Sequence, residues 1–260
     1  MARSRGSQLS TVTRRLKLVA TCFAACVAAA SLTGCGGSNS STSTPTPPAA
    51  PSIAGTYVLS VTGNDPTDGL YDVAGVLTFD GSGHITSGVA DYNLGSGIDM
   101  NVQLTGTYTL AGTAALVSLT DGVGTQDTFT LAISSSGPSN VAGFDGSGSG
   151  TLTPQTATSF ATSGTYTYSL AGQGNNTLTS TGGFTVASGT ITSGTQTNTD
   201  GEDVSTYSSI TGILEPVQAD GRGQAAIGGF TFSYYPVTAN QIVLIGLDDR
   251  ALLYGTAQKM

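Results

Sequence analysis

From position 53 onward, apolar and polar residues alternate with period two. Val102, Leu104, Gly106, Tyr108 and Leu110 fall on one face of an extended chain; Gln103, Thr105, Thr107 and Thr109 fall on the other. The same alternation carries Phe129, Leu131 and Ile133, then Tyr166, Tyr168 and Leu170, then Phe230, Phe232 and Tyr234. Successive side chains of a strand point to opposite faces, so this pattern predicts antiparallel strands with one buried face and one threonine-rich outer face. No stretch beyond position 53 keeps a helical period, and the many Gly and Thr residues are poor helix formers. The pattern predicts eight strands in the first half, near 55–62, 72–79, 84–92, 101–110, 114–119, 127–134, 140–145 and 149–154.

The punctuation agrees. Asp80-Gly81-Ser82-Gly83, Asp145-Gly146-Ser147-Gly148 and Asp220-Gly221-Arg222-Gly223 each stand between strand-like runs. Asp-Gly supplies the backbone of a tight hairpin, and a second Gly two residues on suits a bulge. A calcium loop gathers about six to eight oxygens. One carboxylate per segment makes these turns instead.

The pattern also repeats. Gly55-Thr56-Tyr57 returns as Gly164-Thr165-Tyr166, and Ile85-Thr86-Ser87-Gly88 as Ile191-Thr192-Ser193-Gly194. Leu104-Thr105-Gly106 returns as Ile210-Thr211-Gly212, and Gly150-Thr151-Leu152 as Gly255-Thr256-Ala257. Order and spacing are kept, so the chain carries two β domains, at 53–156 and 163–260, joined by the segment TATSFAT. Eight short strands per copy predict an up-and-down barrel or a two-sheet sandwich, all-β and antiparallel. The scarcity of edge-protecting Lys favours closure, since a barrel has no edges.

Charge divides the chain. Five of eight basic residues lie in the first 17 positions, and all sixteen acidic ones follow position 35. Beyond position 34 only Arg222, Arg250 and Lys259 oppose the acidic residues, a net charge of −13. Binding to nucleic acid or to anionic lipid by charge needs clustered Lys and Arg, so both are excluded. Leu18–Ala30 is an apolar run too short to span a bilayer as a helix, and Leu32-Thr33-Gly34-Cys35 follows it. A basic start, a short apolar core and small residues at a cut site compose a signal peptide over 1–34. Thr13-Arg14-Arg15 leaves general or twin-arginine export open. Residues 35–52, reading CGGSNSSTSTPTPPAAPS, have the composition of a flexible tether.

Leu32, Thr33, Gly34 and Cys35 resemble the lipobox of bacterial lipoproteins. The resemblance implies diacylglycerol on the Cys35 thiol, cleavage before it, and membrane attachment through several acyl chains. Gly36 in place of Asp implies, by the same resemblance, export to the outer membrane or cell surface. The body resembles uncharacterised lipoproteins with tandem Gly- and Thr-rich β repeats, and its opening Gly-x-Tyr is similar to the Gly-x-Trp of lipocalin and related calycin barrels.

Little catalytic chemistry stands out. His84 is the one histidine; by the lipobox resemblance, Cys22 and Cys26 precede the expected cut and Cys35 is expected to take lipid. This predicts no conventional zinc site, no His-assisted nucleophile and no cofactor. Asp200, Glu202 and Asp203 beside Asn198, and Asp65, Asp68 and Asp72, are two acidic groups with the composition of solvated loops. At Tyr234-Tyr235-Pro236 one ring points inward and one outward, the latter open to recognition. Tyr108, Phe129 and Phe79 are inward rings that would close a barrel's interior. The expected function is a non-enzymatic, envelope-anchored lipoprotein with a binding or structural role. A carrier of a small apolar ligand is the alternative, and a carboxylate hydrolase a third reading.

Overall fold

The structure, a computed structural model, describes residues 52–66, 69–135, 137–173, 176–248 and 251–260. The lipobox residues Leu32, Thr33, Gly34 and Cys35, with the tether, lie outside the described residues. The first copy holds β1 (Ala54–Asp65), β2 (Gly69–Asp80), β3 (His84–Asn93), β4 (Ile98–Ala111), β5 (Ala114–Asp121), β6 (Gln126–Ala132), β7 (Ser139–Phe144) and β8 (Gly148–Pro154). Each pairs antiparallel with the next, and β8 returns to β1, closing barrel 1. All eight expected strands are there, and the barrel, not the sandwich, is the outcome.

The second copy holds β9 (Gly164–Gln173), β10 (Thr177–Ala187), β11 (Thr190–Asp200), β12 (Asp203–Tyr207), β13 (Gly212–Leu214), β14 (Gly223–Ile227), β15 (Phe230–Thr238), β16 (Gln241–Gly246) and β17 (Leu252–Lys259). Pairing of β10 with β11, and of β17 with β9, closes barrel 2 from eight strands. The ninth, β12, pairs with β11 alone. Together β12 and β13 stand where barrel 1 has the single long β4.

The turns follow the local chemistry. Asp80 Oδ1 accepts the amides of Ser82 and His84 at 2.7 and 3.0 Å, and Asp121 Oδ1 accepts those of Val123 and Thr125 at 3.0 and 2.7 Å. Asp121-Gly122-Val123-Gly124 is thus a fourth turn of the Asp-Gly-x-Gly kind, beside those at Asp80, Asp145 and Asp220. Asp145 behaves differently: it takes φ 43° itself, and its hairpin closes through backbone bonds to Gly143 and Phe144.

Inward side chains fill both barrels. In barrel 1, Phe79 meets Tyr57 and Tyr108 edge-on at 5.4 and 5.3 Å, and Phe129 stacks on Phe144 at 5.5 Å. In barrel 2, Tyr166 stacks on Phe184 at 5.4 Å. Phe160, inside the segment expected to be a mere junction, packs on Tyr166 at 5.1 Å and belongs to that core.

Ala50–Met260 forms one unit. The outer faces of β1, β2 and β3 press on those of β15, β16 and β17. Val58, Ala74, Val76 and Val89 meet Tyr235, Val237, Val243 and Ile245, all buried. These strands are therefore buried on both faces and lose the period-two pattern: Tyr71–Phe79, Phe232–Val237 and Ile242–Gly246 are nearly continuous buried runs. The two faces are not equivalent within the duplication, because β1–β3 correspond to β9–β11 in barrel 2, not to β15–β17.

Candidate functional site

Chemistry-bearing side chains concentrate along the seam between the barrels. Asp91 on β3, wholly buried, accepts Arg222 Nε at 2.7 Å and the Tyr235 hydroxyl at 2.7 Å on Oδ2. Its Oδ1 accepts the Asn101 amide at 2.7 Å. Arg222 and Tyr235 are brought side by side by β14 pairing with β15, 131 and 144 residues from Asp91. Burial, then the Asp91 charge, pushes the Tyr235 hydroxyl well above its ordinary pKa, so it stays a donor. Fully burying one Val or Ile stabilises by ~1.5–3 kcal/mol. A buried ion pair nets little once desolvation is counted. The eight-residue apolar patch therefore holds the barrels together, and the ion pair fixes their register.

A second polar group lies further along the seam. The Ser60 and Tyr254 hydroxyls share a hydrogen bond, and Asn93 Nδ2 donates to the Gly246 carbonyl at 2.9 Å. Asp72 faces this group from β2, opposite Thr62 and Asn93 in register. Its Oδ2 has no hydrogen-bond partner among the described residues. Burial raises its pKa to about 7. Burial, and then Asp72, raise Tyr254 to about 12. Asp72 is thus no member of a solvated acidic loop. Asp65 ends β1 opposite Gly69, and Asp68 lies outside the described residues.

Above the seam is a cleft of about 490 Å³. Its lining includes Val76, Thr78, Val89 and Gln103 of barrel 1, Gln155 and Thr158 of the connection, and Gln218 and Asp220 of the second copy. Gln155 Nε2 donates to the Pro236 carbonyl at 2.8 Å, which ties the connection to barrel 2. Amide and hydroxyl side chains share the lining with apolar surface, so the cleft offers both donors and acceptors to a neutral polar group.

The remaining expected residues fall elsewhere. His84 is exposed, with Nδ1 3.0 Å from Asp80 Oδ2. Hydrogen bonds from the Ser82 hydroxyl, then from the His84 and Ser82 amides, hold the Asp80 carboxyl well below the usual carboxylate range. Asp200 and Asp203 flank a hairpin turn; Asp200 Oδ1 accepts the Asn176 amide at 3.0 Å, and Asn198 Oδ1 accepts Gln196 Nε2 at 2.8 Å. Among the described residues, no group of three His, Cys, Asp or Glu is placed to hold a metal ion. Tyr234 points into barrel 2, its hydroxyl donating to the Glu215 carbonyl. Tyr235 does point out of barrel 2, but into the seam, so it is not open to a ligand.

Asp91 and Asn93 carry no motif that marks them in the sequence, and the Asp220-Gly221-Arg222-Gly223 motif marks Arg222 only as part of a turn. The available signal was the lapse of alternation at Tyr71–Phe79 and Phe232–Val237, which announces burial on a second face.

The architecture is that of a duplicated eight-stranded antiparallel barrel. No protein-family model matches the chain, and no curated protein matches it. Among solved structures it is similar to an AttH candidate from Nitrosomonas europaea, at 8% identity and a TM-score of 0.27, covering 79% of this chain and 92% of that one. It is also similar to a DUF3598-family protein of unknown function from Nostoc punctiforme, at 10% identity and a TM-score of 0.24, covering 80% and 96%. Likeness at this level carries no function across.

Proposed function

We propose that this protein is an exported lipoprotein, anchored at the cell envelope through Cys35, whose double-barrel body has a non-catalytic binding or structural role. The observation that supports this reading is what the perturbed ionisable groups of the seam do. Such groups commonly mark active sites. Here Arg222 and Tyr235, both held by Asp91, and Tyr254, bonded to Ser60, fasten one barrel to the other, with Asp72 buried beside them. The carrier reading is the weaker one, because Phe79, Tyr108, Phe129 and Phe144 occupy the interior of barrel 1. A carboxylate hydrolase has less support still, since the Asp200–Asp203 group forms a hairpin tip.

Cys35→Ser tests the anchor. The wild-type chain should incorporate labelled palmitate and sediment with membranes. The variant should lose the label and move to the soluble fraction. A variant that still pellets after a high-salt wash would sink the lipobox reading.

A further inference from the structure

We infer that the outer edge of β12 is a docking edge for an extended, basic segment of another protein, which adds to it as an antiparallel strand. The inference rests on the non-catalytic binding reading, not on the anchor.

Among the described residues β12 hydrogen-bonds only to β11, and all five of its residues are exposed, Val204 at 64% and Tyr207 at 49%. The register places Asp200 opposite Asp203 across a two-residue turn that opens on Gly201 at φ 65°. In such a hairpin the flanking pair is hydrogen-bonded, and pairs alternate from there. Thr199↔Val204 and Thr197↔Thr206 are then the pairs without mutual bonds. The amides and carbonyls of Val204 and Thr206 therefore point away from β11, toward the open edge.

The duplication supplies the comparison that gives this edge meaning. The matching part of β4, Ile98–Gln103, also lies beyond the reach of β5. There the edge is blunted. The register shifts between Ala90 and Tyr92, Asn101 takes φ 57°, and its amide turns onto Asp91 Oδ1. Bulges of this kind are a standard defence of a free edge. Barrel 2 has one residue fewer at this place, Thr197 where barrel 1 has Asp91, and an unbroken register from Gln196↔Tyr207 to Asp200↔Asp203. Asp203–Tyr207 contains no Lys and no Pro. One copy protects its edge and the other leaves it ready to pair.

Charge selects the occupant. Asp200, Glu202 and Asp203 crowd the hairpin tip, with no Lys or Arg in β11 or β12. A second copy pairing through its own β12 would bring no cation to them. A strand carrying Lys or Arg beside the tip would gain ladder bonds and charge pairing together, the mode of recognition in which main-chain bonds give affinity and side chains give choice.

The test uses the full chain in solution and a labelled synthetic peptide, Lys-Thr-Val-Thr-Val-Lys, with Glu replacing both Lys as control. The basic peptide should bind, weaken as salt rises, and slow hydrogen exchange at the Val204 and Thr206 amides; the acidic one should bind at least tenfold more weakly. Thr206→Pro removes an outward amide and should cost tenfold or more. Glu202→Lys, which leaves the ladder intact, should weaken the basic peptide and favour the acidic one. Exchange at Val204 and Thr206 that is unchanged at saturating peptide would overturn the inference, as would indifference to both substitutions. A concentration-dependent dimer of the chain alone, abolished by Thr206→Pro, would assign the edge to a second copy and overturn the basic partner. None of these outcomes depends on Cys35, so failure here leaves the anchoring test intact.

Discussion

Asp72 is a carboxyl group placed where water does not reach it, and its protonation is coupled to folding. In the unfolded chain an Asp titrates near pH 4; in the folded protein this one titrates at about 7. Below pH 4 the group is neutral in both states. Between 4 and 7 the unfolded chain gives up its proton while the folded one keeps it, so stability falls as pH rises through that window. Above about pH 7 the whole difference is lost, roughly 4 kcal/mol by the linkage relation. Asp72→Asn should therefore match wild type in chemical denaturation near pH 4 and exceed it by a few kcal/mol at pH 8. A variant whose stability falls between pH 4 and 7 as steeply as wild type would show that another group governs that slope.

At the scale of elements, recurring glycines mark where neighbouring strands leave no room for a side chain inside the barrels. Gly75, Gly106 and Gly150 face inward in barrel 1, and Gly182, Gly212 and Gly255 occupy the matching places in barrel 2. A Cβ on Gly106 would collide with the Ser118 carbonyl oxygen, and one on Gly212 with that of Ala226. Glycine inside a strand commonly marks such close backbone approach. Gly106→Ala and Gly212→Ala should each cost about 1–3 kcal/mol, the usual penalty of overpacking. Gly122→Ala, which meets nothing within 4 Å, should be close to neutral in the same thermal melts. These glycines lay inside the sequence repeats at Leu104-Thr105-Gly106 and Gly150-Thr151-Leu152. Strand positions, the duplication and the inward rings were legible because period two and local turn chemistry record them directly. The seam was not. Asp91, Arg222 and Tyr235 meet over more than 130 residues, and no local pattern encodes which outer faces will touch. The free edge of β12 was hidden too, since threonine-rich alternation looks the same whether or not a neighbour is present.

In the whole molecule, barrel 1 uses one face and barrel 2 a different one, and that has an outcome for assembly. Contacts between unlike surfaces are heterologous, and when each unit carries both surfaces they propagate head to tail, into closed rings or open filaments according to the rotation at each contact. Because the barrels are copies, barrel 2 holds its own version of the β1–β3 face, and barrel 1 its own version of the β15–β17 face. The strand registers match Val58, Ala74, Val76 and Val89 to Thr167, Thr181, Gly183 and Thr195. By the same matching, Tyr235, Val237, Val243 and Ile245 fall on Ala132, Ser134, Asn140 and Ala142. Every sticky position has a small or polar counterpart in the unused face, so the series stops at two. Restoring both faces, with Thr167→Val, Thr181→Ala and Thr195→Val together with Ala132→Tyr, Asn140→Val and Ala142→Ile, should turn the chain into a protomer of larger head-to-tail assemblies, rings or filaments. Sedimentation velocity should show species growing with concentration when both sets are present, and much less growth with either set alone. A sixfold variant that sediments like wild type would mean that the shape of the seam, not its apolar surface, limits the polymer.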